Sequence, residues 1–141
     1  MGNLTKEILA EKENVEKVLN NLKDVEARHI KSVIELAAIA AFLHNIYNGI
    51  ENILKQVLKV KGFKVPQSKN WHKDLLNFST TEKIITKKLA DELYEYLTFR
   101  HFFVHGYSFE LKEAQLQNLT HNIPAVWSRF ILEIERVIKN K

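Results

Sequence analysis

Cysteine is absent from this 141-residue chain. That excludes a disulfide framework and a thiolate zinc site, and it fits a reducing cytoplasm, the location expected here. Proline occurs twice and glycine four times, so few tight turns are available and the chain must run in long elements. No stretch alternates apolar and polar residues for a useful length, which argues against strands. No apolar run reaches about 18 residues, so a membrane span is not expected. The first residues, MGNLTKEILAEKENVEKV, are charged and helix-periodic, unlike a leader peptide. Internal repeats and low-complexity segments are also missing. Nor is there a strong charge of one sign. Lys and Arg number 21 against 17 Asp and Glu, a net +4 that is compatible with a polyanionic partner but too small to identify one.

What is present is helical periodicity. With 45% hydrophobic and 27% charged residues, the chain can bury one core under a solvated surface, and a single domain over 1–141 is expected. Leu4, Ile8, Val15, Val18, Leu22 and Val25 predict a first amphipathic helix from about residue 3 to about 25. A turn follows near 26–32, and Ser32-x-x-Glu35 has the spacing of a capping box. Leu36, Ile39, Leu43, Ile46, Ile50, Ile53, Val57 and Val60, widened by Ala40, Tyr47 and Leu54, give a second helix suited to the centre of a bundle. Gly49 inside it points to close packing against a neighbour, and Gly62 to a C-terminal cap. After a loop over 62–70, Trp71 to Phe78 reads as a short helix. Ser79-x-x-Glu82 then reads as a second capping box, opening a third long helix with Ile85, Leu89, Leu93 and Leu97 on its stripe and Gly106 as its stop. A fourth begins near Leu111. Pro124 either kinks or splits it, and Val126, Phe130, Ile134, Val137 and Ile138 carry its apolar face. The expected fold is all-α, an up-down bundle of four long helices plus a short one.

One stretch, Phe99-Arg100-His101-Phe102-Phe103-Val104-His105-Gly106-Tyr107, gathers an arginine, two histidines and a tyrosine into nine residues. Carried forward, the third-helix stripe leads to Arg100 and then Val104, so a guanidinium falls where a core residue is expected. Buried alone it is prohibitively costly, so it needs an anion, a carboxylate or a wet cleft. Its planar fork suits a phosphate. An evenly weighted alternative is a structural Arg–Glu pair between helices, with Glu51 as the partner. His105 lies five residues on, roughly 140° round an ideal helix. At a frayed end its ring can swing towards Arg100, and the helix C-terminus favours its protonated form. An arginine and a histidine meet the minimum for cleaving RNA without metal. The 2′-OH attacks phosphorus, the histidine moves a proton and the arginine stabilises the phosphorane. On its own, His105 reads more readily as a helix-terminal histidine bonded to backbone.

Other residues carry weaker signals. His101 and His105, four apart, resemble half a zinc site. Phe102 follows His101 where a metalloprotease helix has glutamate, and no third ligand is evident, so no metal is expected. His44, Asn48 and Glu51 share a polar stripe on the second helix, which either faces Arg100 or is simply solvated. His72 and His121 carry no spacing signal. Phe99, Phe102 and Phe103 either stack bases or pack in the core.

At these residues the chain resembles a known family. Arg100, His105 and Tyr107 spell R-x4-H-x-Y, the signature of HEPN-domain toxins of the HepT type. The run Leu43-His44-Asn45-Ile46-Tyr47-Asn48-Gly49-Ile50-Glu51-Asn52 is similar to the second-helix motif of a HepT-like subgroup, as are Trp71-His72-x-x-Leu75-Leu76 and Phe99-Arg100-His101. These segments occur in the family's order across about residues 40–110. Many relatives carry a second basic residue where Val104 stands, a departure that bears on substrate binding and leaves Arg100 and His105 intact.

The resemblance implies an all-α HEPN-like bundle acting as the toxin of a type VII toxin–antitoxin system. It implies a metal-independent endoribonuclease without cofactor, cutting tRNA or mRNA, with Arg100 and His105 catalytic. Asn48, Glu51 and His101 are the polar residues placed to support them. It further implies a homodimer with two Arg–His sets facing one another. The expected partner is an MNT-type nucleotidyltransferase antitoxin, which forms a complex with the toxin and transfers AMP to Tyr107. An added AMP places bulk and negative charge two residues from His105, blocking RNA. The alternative is a non-catalytic HEPN-like helical module that binds a nucleotidyltransferase, with Arg100 in a structural ion pair.

Overall fold

The computed structural model describes residues 5–28, 32–105 and 113–139. They form five helices: α1 (Lys6–Glu26), α2 (Val33–Val60), α3 (Trp71–Thr81), α4 (Lys87–His105) and α5 (Glu113–Lys139). No strand occurs among the described residues. The fold is therefore the expected all-α bundle of four long helices and one short one.

Local chemistry sets most of the boundaries. The Ile8 amide donates to Thr5 Oγ1 at the start of α1. Ser32 and Glu35 form the expected reciprocal box at the start of α2, with the Ser32 amide donating to Glu35 Oε1 at 2.8 Å and the Glu35 amide to Ser32 Oγ at 3.2 Å. After α2, Gly62 adopts φ 82° and the Phe63 amide donates back to the Leu58 carbonyl at 2.8 Å. This is the left-handed turn that glycine makes without strain.

The second expected capping box does not form. Ser79 lies inside α3 and is buried on the face it shares with Leu75 and Leu76, so its hydroxyl is not at a helix start. α3 instead closes through Lys83, a non-glycine at φ 59°, while the Ile84 amide donates to the Ser79 carbonyl at 2.8 Å. Thr86 opens α4. Its Oγ1 accepts from the Leu89 amide at 3.2 Å and donates to Glu133 at 3.0 Å, and the Thr86 amide also donates to Glu133, at 2.7 Å. Ile85 is buried, but in the link and not in α4. Pro124 stands inside α5 without dividing it. The start expected for the last helix near Leu111, and its predecessor's stop at Gly106, lie outside the described residues.

Cross-helix contacts fix the directions. Val15 meets Gly49 and Glu11 meets Asn52, so α1 and α2 are antiparallel. Asn48 meets Arg100 and His44 meets Phe103, so α2 and α4 are antiparallel too. Tyr96 on α4 donates to the Leu119 carbonyl at 2.7 Å, and Thr86 reaches Glu133, so α5 runs back along α4. The long helices thus go up, down, up and down. α2 lies at the centre and packs against all four others. By length and composition it is apolar enough to cross a membrane. Here Ile39, Leu43, Ile46, Ile50, Ile53, Leu54 and Val57 instead fill the core of the bundle. At Gly49 a Cβ would stand 2.3 Å from Val15 Cγ2, so α1 approaches α2 closely there.

Candidate functional site

Polar residues interrupt the apolar pattern in the middle of α2. His44, Asn48 and Glu51 recur at helical spacing and so share one side of the helix. Glu51 is 2% exposed, while His44 and Asn48 are half-buried. α4 crosses this side at its C-terminal end and α3 at its N-terminal end. The polar stripe is therefore an internal seam and not a solvated face.

Arg100 enters the seam from α4. Leu89, Leu93 and Tyr96 form the buried face of that helix, and Arg100 follows one turn on, half-buried at the rim. Its Nε donates to Asn48 Oδ1 at 3.1 Å. Asn48 Nδ2 in turn lies 3.1 Å from His44 Nε2. The His44 ring packs at 5.1 Å from Phe103, which lies 5.9 Å from Phe99 in a stacked pair. Burial, and then the charge of Arg100, hold the His44 imidazole below its ordinary pKa. Among the described residues no carboxylate pairs with Arg100.

Glu51, the partner expected for a structural pair with Arg100, is engaged elsewhere. Its two oxygens lie 2.9 and 2.8 Å from His72 Nδ1 on α3. His72 stacks on Trp71 with centroids 3.5 Å apart, and Lys55 Nζ sits 3.8 Å from the centre of the Trp71 ring. The spacing of residues does not reveal this role of His72, because its partner stands 21 residues back on another helix. Tyr47 is buried beside this pair. Desolvation, and then the nearby Glu51 carboxylate, push its phenol well above the ordinary range.

α4 stays helical through His105. Arg100 and His105 therefore stand roughly 140° apart about one axis, and His105 does not lie in an unwound end. Its ring lies 4.5 Å from that of His101, and both residues are exposed. No cluster suited to a metal occurs among the described residues. Of the three phenylalanines, Phe99 and Phe103 pack against the core, whereas Phe102 is 53% exposed. Val104 is 49% exposed, one turn beyond Arg100. Tyr107 lies outside the described residues.

Four long helices and a short one, with an arginine and a histidine in the last two turns of α4 and a polar seam from the central helix facing that arginine, fit the HEPN-like bundle that the sequence resembles. Residues 38–140 match the model of a family described as HepT-like protein. The chain belongs to the HepT-like family. The match takes in α5 as well as the motif-bearing helices. No curated relative and no solved structure matches the chain.

Proposed function

We propose that this protein is the ribonuclease toxin of its system. It would cleave RNA without metal, with Arg100 anchoring the scissile phosphate and His105 moving a proton. The observation that carries this reading is the partner of Arg100. A structural arginine would be neutralised by a carboxylate. Arg100 instead touches a neutral amide, which leaves its positive charge for a phosphate. In the reaction the 2′-oxygen attacks phosphorus and loses its proton, and the bond to the 5′-oxygen breaks with a proton delivered to that oxygen. The product is a 2′,3′-cyclic phosphate. Arg100 meets the charge that grows on the non-bridging oxygens. Pairing of two chains would bring two Arg100–His105 sets into one cleft, consistent with the wide angle between these residues on a single helix.

In this reading an MNT-type nucleotidyltransferase restrains the toxin by transferring AMP from ATP to the Tyr107 hydroxyl, releasing pyrophosphate. Expression of the wild type alone should arrest growth and fragment cellular RNA, and Arg100→Ala or His105→Ala should abolish both effects. Co-expression with the nucleotidyltransferase should add one or more AMP units to the intact mass, absent in Tyr107→Phe. Intact RNA and normal growth with the wild type alone would instead favour a non-catalytic helical module.

A further inference from the structure

We infer that Asn48 and His44 are positioning residues for Arg100, forming a neutral relay that aims the guanidinium without discharging it. The inference rests on the reading of Arg100 as a phosphate anchor. The direction of each link is forced. A guanidinium can only donate, so the amide oxygen of Asn48 must face it, at 3.1 Å. The amide nitrogen then points to the other side and donates to His44 Nε2 at 3.1 Å. That nitrogen must be unprotonated, which places the imidazole proton on Nδ1. The His44 ring is itself held by burial and by Phe103. Because Nε is the donor to Asn48, the two Nη groups are left as a parallel pair, the geometry that grips an anion end-on.

Asparagine is suited to this task because its amide orients a cation while carrying no charge. Aspartate at the same position has nearly the same shape and would bind Arg100 more strongly. It would also cancel the charge that a phosphate requires. Stability and function should therefore respond to Asn48→Asp in opposite directions, which a purely structural hydrogen bond does not predict.

The experiment uses the purified full chain and three readouts: melting temperature, affinity for a labelled mixed-sequence 2′-deoxy oligonucleotide, and cleavage of total cellular RNA. The deoxy strand lacks the attacking hydroxyl, so it reports phosphate binding without cleavage. Asn48→Asp should melt at or above the wild-type temperature, bind the oligonucleotide at least about tenfold more weakly, and cleave as little as Arg100→Ala. His44→Gln keeps an acceptor for Asn48 and should stay within about threefold of wild type, whereas His44→Leu should lose about tenfold. If Asn48→Asp binds like wild type, or if His44→Leu equals His44→Gln, the relay is overturned. The His44 pair decides the matter alone should Asn48→Asp fail to fold. If wild type binds as described, with the same variant pattern, but cleaves no RNA, the ribonuclease reading fails and the relay stands.

Discussion

His44 and Gly49 show how much depends on single side chains along α2. The relay to Arg100 requires an unprotonated His44 Nε2, and burial together with Arg100 lowers the imidazole pKa below 6.5. In the unfolded chain the same group binds its proton near 6.5. Below that pH the unfolded state takes up protons that the native state resists, so the His44 contribution to stability is full above about 6.5 and is lost as pH falls. Melting temperature should drop between pH 7 and 5 by more in wild type than in His44→Gln. Gly49 is a steric case. Alanine there would press on Val15 and should cost about 1–3 kcal/mol in denaturant unfolding. A double-mutant cycle with Val15→Ala should show favourable coupling between the two changes. Glycine in the middle of an apolar helix was enough to reveal this close approach from the sequence. The amide–imidazole contact was not legible in that way, because a stripe of His44, Asn48 and Glu51 reads the same whether it faces a partner helix or water.

Helix starts test how far local pattern reaches. Two serines are followed three residues later by glutamate, yet only Ser32 caps a helix. Ser79 follows Leu75 and Leu76 on a face that α3 buries, so adding a further turn to α3 wins over capping. Thr86 takes over because Glu133 on α5 binds both its amide and its hydroxyl, a contact 47 residues distant that no short window contains. Thr86→Ala removes a cap and one side-chain bond to Glu133 and should destabilise the chain by about 1–2 kcal/mol, read from the urea midpoint. Pro124 illustrates the opposite case. Its cost in a helix interior was visible from the sequence, but α5 continues past it, held by apolar residues such as Ile123, Val126, Trp127 and Phe130 that are buried on both sides of the proline.

At the scale of the whole molecule, the periods of the apolar residues were sufficient for the class and order of the helices. They could not supply the pairs that join one helix to another. Glu51 and His72 are such a pair, pinning α3 to α2. Because the Glu51 carboxylate is buried, His72→Ala should destabilise the fold by roughly 3 kcal/mol, whereas Glu51→Gln with His72 retained should cost less; equilibrium unfolding distinguishes the two. Glu51 meets His72 and Arg100 meets Asn48, and the proposed ribonuclease reading rests on that partition. The most direct test of that reading is cleavage of total cellular RNA by the purified full chain in the presence of a metal chelator, followed by analysis of the new ends. The account predicts fragments ending in 2′,3′-cyclic phosphate with wild type, and none with Arg100→Ala or His105→Ala even though both variants remain folded. Cleavage that persists in Arg100→Ala, or that stops when metal is removed, would contradict it.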